Sequence, residues 1–255
     1  MNNMIEFLDT RAVINHGEYA VIPPEGREIN VIPGFEGFQT NILSSPKLGA
    51  HCIFYISTVQ PKARTTEWIG KAGEQFFLYV LDGEGSLTIQ TDDRTDEIKQ
   101  GGFVYLPEGM RAHLINDSEE PIRVIMYKQK YKAIEGIRAE YVVGDANLIP
   151  EWNHEGIDNI WKKNLLPTHM GFDMNFHILG FEPAACHPWL ETHVQEHGAY
   201  VLSGQGFYRL GKDWVQVQKD DYIWMGPFSV QGSYSIGRER FSYIYSKDCN
   251  RDEEL

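Results

Sequence analysis

Apolar and aromatic residues in this chain fall in short runs separated by turn residues, and long helical periodicity is scarce. Phe76 to Leu81 and Gly198 to Leu202 are two such runs. Each leads into a Gly-x-Gly turn, Gly83-Glu84-Gly85 and Gly204-Gln205-Gly206, before another strand-like stretch. Phe103 to Leu106 and Tyr222 to Met225 are shorter and are closed by Pro107-Glu108-Gly109 and Gly226-Pro227. With 24 Gly and 12 Pro in the chain, turns are frequent. The pattern predicts an all-β protein of sandwiches or barrels with few short helices, one expected near Asp158 to Lys163.

The runs also repeat. Leu78-Tyr79-Val80-Leu81 matches Ala199-Tyr200-Val201-Leu202, Gly102 to Leu106 matches Asp221 to Met225, and Val124 to Lys128 matches Tyr243 to Lys247. The matches keep their order at a nearly constant offset, which implies two homologous halves in tandem. The boundaries read as an N-terminal arm over 1–44, a first barrel over 45–131, a linker over 132–165 and a second barrel over 166–250. Phe35 and Phe38 make the arm aromatic and suit it to oligomer contacts.

At 255 residues, with 42% hydrophobic and 23% charged residues, the composition is that of a globular chain able to bury a core without crosslinks. The net charge of −13 disfavours a nucleic acid or an anionic membrane as partner. Three widely separated cysteines, Cys52, Cys186 and Cys249, suggest a reducing compartment. No apolar stretch is long enough to span a membrane, and Met1 to Glu6 lacks the basic-then-apolar pattern of a leader. A cytoplasmic location is therefore expected.

The candidate chemistry lies in Glu191-Thr192-His193-Val194-Gln195-Glu196-His197, just before the second half's main strand. In an extended chain residues two apart share a face, so Glu191, His193 and His197 can point inward together. A carboxylate and two imidazoles suit a divalent metal, and Gln231, after the Tyr222–Met225 run, could add an amide oxygen. Two His with one carboxylate also suit non-haem Fe(II), while a hard amide oxygen moves the preference towards Mn2+, although affinity alone would favour Zn or Cu. In the first half the matching slots hold Ala72, Phe76 and Ala112. Lys71, Glu74 and His113 do not restore the set, so that barrel is expected to be metal-free.

The Gly-x-Gly strand, the ligand-type cluster before it and the later short strand resemble the two motifs of the cupin superfamily. The departure from the usual cupin order, Glu191, His193, His197 and Gln231, is similar to that of the (S)-ureidoglycine aminohydrolases. So are the runs Glu191 to Tyr200 and Ser242 to Asp252, and the similarity extends over nearly the whole chain. The resemblance implies a bicupin, two tandem double-stranded β-helix barrels, usually oligomeric. It also implies Mn2+ held by those four residues, and hydrolysis of (S)-2-ureidoglycine to (S)-ureidoglycolate and ammonia in purine (allantoin) catabolism. It places substrate at Glu191, Gln231, Tyr243 and Lys247, with Glu191 also able to relay a proton. The alternatives are a cupin Fe(II) dioxygenase and a non-catalytic metal-containing cupin binding protein.

Phe241, Tyr243, Tyr245 and Lys247 share a face of the last strand, which suits Lys247 to the substrate carboxylate and Tyr243 to a hydrogen bond. Lys128 fills the Lys247 slot in the first half, so a structural role for this lysine stays open. Asp173, Asn175 and His177 alternate on one face and could orient the metal-bound imidazoles or face elsewhere. Cys186 and His187 are consecutive and are read as inert, and His16, His51, His154 and His169 carry no recognisable spacing.

Overall fold

A computed structural model describes residues 10–252, and the first nine residues of the arm, including Met1 to Glu6, lie outside the described residues. Two large antiparallel sheets dominate, and they repeat one strand order. In the first half it runs Val142–Asp145, Gly102–Leu106, Glu74–Asp82, Ile122–Lys130, Cys52–Thr65. In the second half it runs Tyr19–Ile22, Tyr222–Met225, His197–Ser203, Phe241–Asp248, Met174–Phe181. The first sheet continues through Ala112–Ile115, Leu87–Thr91 and Thr95–Ile98, joined at the Arg64–Ile115 pair, whereas in the second half Asp213–Gln218, Gln205–Leu210 and Gln231–Ile236 form a separate three-stranded sheet. The expectation of two tandem double-sheet barrels is met.

The stretches read as arms carry strands of their own. Tyr19–Ile22, from the N-terminal arm, pairs with Tyr222–Met225 and so belongs to the second barrel's sheet, whereas Phe35–Ser44 pairs with Cys52–Thr65 in the first. Phe35 and Phe38 meet edge to face at 5.1 Å and pack on the first barrel's core. The helix expected near Asp158 to Lys163 is instead the strand Ile160–Asn164, paired with Met174–Phe181. So short a segment makes too few internal hydrogen bonds to hold a helix, and an open sheet edge offers more. The helices among the described residues are two short 3-10 turns, Pro24–Gly26 and His154–Gly156.

Alternation along each strand divides its side chains between two cores. In Glu74–Asp82, Phe76, Leu78 and Val80 fill the first barrel, while Phe77 and Tyr79 point the other way. In Phe241–Asp248, Phe241, Tyr243 and Tyr245 fill the second barrel, while Ile244 points away. The outward residues of both sheets form a third, largely aromatic core between the halves, where Phe77 stacks on Phe176 at 3.8 Å. Both faces of these strands are buried, which explains their near-continuous apolar runs. Gly83 and Gly204, the first glycines of the paired turns, have φ of 124° and 70°, a region a side chain disfavours.

Candidate metal centre and substrate cavity

Glu191 and Gln231 are brought together by a reciprocal backbone pair. Glu191 N–H donates to Gln231 O and Gln231 N–H to Glu191 O, both at 2.9 Å. The segment from Glu191 to Glu196 is irregular, and His197 opens its strand, so the shared face comes from a pinned loop rather than from a strand pleat. The loop is held by Phe228 N–H donating to His193 O at 2.7 Å and by the Thr192 hydroxyl donating to Phe228 O. Glu196, buried, accepts from His51 N–H and the Cys52 thiol, which ties the loop to the first half.

His193 Nε2 lies 3.2 Å from His197 Nε2, 3.0 Å from Gln231 Nε2 and 3.9 Å from Glu191 Oε1. For donors about 2.1 Å from a six-coordinate cation, neighbouring donors stand about 3.0 Å apart. The two imidazoles match that edge; Gln231 presents its amide nitrogen there, so its carboxamide must turn over to offer oxygen, and the Glu191 carboxylate, 39% exposed, sits further out. Accordingly, among the described residues no three His, Cys, Asp or Glu side chains alone converge as a metal-binding group. The proton positions are informative. His193 Nδ1 is 3.0 Å from Gln195 O and His197 Nδ1 is 2.9 Å from Ser246 O, and a carbonyl can only accept. Both rings therefore carry their proton on Nδ1, and two Nε2 lone pairs face each other. Burial, and next the charge of Lys247, push both pKa values down, His197 most, so neither ring readily takes a second proton. The Gln231 amide N–H reaches the lone pair of His193; a cation between the rings would take both lone pairs once that carboxamide turned its oxygen inward.

A cavity of about 60 Å3 opens beside these donors. Tyr243, Tyr245 and Lys247 line it from one strand face as expected. Tyr243 is buried and its hydroxyl stands 3.2 Å from that of Tyr208, with burial holding the phenol well above its usual range. Lys162 also lines the cavity, from the unforeseen strand Ile160–Asn164; burial first, then Lys247, lower its pKa to about 8. His187, read as inert, lines it too. Its Nδ1 accepts from Ser233 N–H at 3.0 Å, which leaves the proton on Nε2, and burial lowers its pKa to about 4. His154, whose spacing carried no signal, is a further wall residue.

The trio Asp173, Asn175 and His177 divides. Asp173 accepts from Gln75 and from Lys132 N–H, and the Asn175 amide bonds the backbone of Leu166 and Pro167. Both tie segments together. His177 bonds Asn164 and lies 5.2 Å from the Tyr245 ring. The imidazoles that would hold a metal are oriented by backbone carbonyls instead of by this trio.

In the first half the bridge Ile69 to Ala112 matches that of Glu191 to Gln231, and Phe76 pairs with Leu106 as His197 pairs with Met225. Apolar side chains thus occupy three of the four donor slots.

A family model for the cupin domain matches residues 55–127. The chain is 43% identical over 251 residues to the (S)-ureidoglycine aminohydrolase of Escherichia coli strain K12, covering 98% of this chain and 95% of the relative. It is 28% identical to that of Arabidopsis thaliana, covering 95% and 79%. The crystal structure of protein Ylba from E. coli superimposes with a TM-score of 0.87 at 42% identity, covering 97% and 98%.

Proposed function

The chain belongs to the (S)-ureidoglycine aminohydrolase family, and on that premise we propose that it hydrolyses (S)-2-ureidoglycine to (S)-ureidoglycolate and ammonia with Mn2+ at Glu191, His193, His197 and Gln231. The observation that carries the site assignment is the pair of facing imidazole lone pairs, with an amide and a carboxylate beside them in the second barrel.

In the reaction the bond from the central carbon to the amine breaks and a bond to water oxygen forms. Held by Glu191, His193, His197 and Gln231, a metal would supply Lewis-acid polarisation of the substrate. The protein does the rest. Lys247, with Lys162 beside it, pairs with the substrate carboxylate, and the neutral Tyr243 hydroxyl bonds the ureido group. Gln231 and Glu191 reach the substrate as well as the metal. Glu191, the most exposed of the four, takes the proton from the attacking water and returns one to the departing amine. Leu179 and Met225 close the cavity with apolar walls. Together these contacts present one face of the carbon to water, which sets the S configuration.

A cytoplasmic homo-oligomer completes the proposal. Three free thiols suit a reducing compartment, and exposed apolar side chains such as Val31 and Leu148 suit self-association. Among the described residues no helix is long and apolar enough to cross a membrane.

The deciding experiment follows ammonia release and product configuration from freshly generated ureidoglycine, anaerobically, with and without chelator. Only the S product, formed without oxygen and lost on chelation, is expected. A racemic product at the spontaneous rate would overturn the activity, and full turnover after verified metal removal would overturn the site.

A further inference from the structure

The first barrel has lost its metal ligands but not its hollow. A cavity of about 270 Å3 lies where the second barrel has one of about 60 Å3. Its floor is apolar and buried: Tyr55, Ile69, Phe76 and Met126. Ile69 and Phe76 stand in the slots of Glu191 and His197, so the replacements that abolish metal binding are the ones that make this floor. Glu67 and Lys71 also line it, and one polar feature of the second site persists. Lys128 pairs across the sheet with Phe76 as Lys247 pairs with His197. Its Nζ is 3.9 Å from Glu74 Oε2, and both side chains are about one-third exposed and line the cavity.

A lone carboxylate brought to Lys128 would also meet Glu74, and a lone amine brought to Glu74 would meet Lys128. A ligand carrying both charges on neighbouring atoms satisfies the two together. The Tyr55 hydroxyl adds a hydrogen-bonding group close enough to Glu74 to feel its charge. At about 270 Å3 the cavity lies just below the roughly 300–1,000 Å3 of drug-sized ligand pockets and suits a smaller molecule, of amino-acid size.

We propose that the first barrel is a binding site for a zwitterionic α-amino acid with an aliphatic side chain. Lys128 takes the carboxylate, Glu74 the ammonium, and Ile69, Phe76 and Met126 the side chain. The site is separate from the proposed active site and does not depend on the activity assigned there.

Trp68 lines the cavity, so its fluorescence, with calorimetry, reads binding to the full-length protein. L-Leucine is expected to bind saturably. 4-Methylpentanoate, which lacks the ammonium, and isopentylamine, which lacks the carboxylate, should each bind at least about tenfold more weakly. Glycine, lacking the side chain, should not bind. Lys128→Met and, separately, Glu74→Gln should each weaken leucine at least about tenfold while leaving ammonia release unchanged. No saturable leucine signal up to about 10 mM overturns the proposal. Equal binding of leucine and 4-methylpentanoate would make this an anion site and overturn it too. Leucine binding unaltered in both variants, or lost in His193→Ala, would place the ligand elsewhere.

Discussion

The Nε2 atoms of His193 and His197 stand 3.2 Å apart with no proton to share, because each ring's Nδ1–H is committed to a backbone carbonyl. Removing a bound cation should therefore cost stability as well as activity. At a metal concentration 100 times the Kd, binding contributes about 2.7 kcal/mol, or roughly 5–10 °C in Tm for a chain of this size. Dialysis against a chelator should lower the Tm by that amount and abolish ammonia release, and Mn2+ should restore both. His193→Ala should show the low Tm with or without Mn2+. A melting curve indifferent to chelator would contradict the site.

Metal stoichiometry should be one per chain. The first barrel offers Ile69, Phe76 and Ala112 at the slots of Glu191, His197 and Gln231. Elemental analysis of the Mn2+-loaded protein is expected to find about one equivalent. Two equivalents would mean that the first barrel holds a cation by some other set of groups.

The duplication made this contrast legible from sequence, since two copies of one strand order align residue for residue and the donors appear as differences between them. The strand faces of Phe241, Tyr243, Tyr245 and Lys247 were readable for the same reason, a period of two in a run buried on both sides. Lys162 and His187 were not. Each comes from a segment with no motif, and only the pairing of Ile160–Asn164 with Met174–Phe181 and the anchoring of His187 on Ser233 bring them to the cavity. The partners that orient His193 and His197 are backbone carbonyls, which leave no signature in residue types. The crossing of Tyr19–Ile22 into the second sheet was equally silent, because a short strand's apolar pattern does not say which sheet it joins.

Lys162 should give product binding a pH dependence. Burial and the neighbouring Lys247 lower its pKa to about 8, so its ammonium is present below that pH and lost above it. Affinity for (S)-ureidoglycolate, measured by calorimetry, should fall as the pH rises from 7 to 9, by up to about tenfold. Lys162→Met should bind weakly at pH 7 and show a much flatter profile. If the variant kept the wild-type profile, Lys162 would not touch the carboxylate.

The stack of Phe77 on Phe176 joins the two halves within their shared buried core. Phe176→Ala should cost about 3–5 kcal/mol, and Phe176→Leu considerably less. Denaturant unfolding followed separately by a probe in each half should show both midpoints falling together. A loss confined to one half would mean that the shared core does not couple them.

Asp248 should be a liability at neutral pH. Its burial, and next the charge of Glu196, raise its pKa from an ordinary 3.8 to about 6, with Asp173 adding to the rise and His51 opposing it. As pH falls through 6, the folded chain takes up this proton before the unfolded chain does. The associated stabilisation is thus fully present below 3.8 and lost as pH rises through 6. Above that window the buried charge costs on the order of 2–3 kcal/mol. Asp248→Asn removes the charge and keeps an oxygen to accept from Glu196 N–H. Its Tm should exceed that of the native protein at pH 7.5, by a margin that narrows at pH 5.0. Asp248 follows Lys247 on the strand, so activity is read separately from stability. A Tm lowered equally at both pH values would show that Asp248 serves the fold through its hydrogen bond and that its charge carries no penalty.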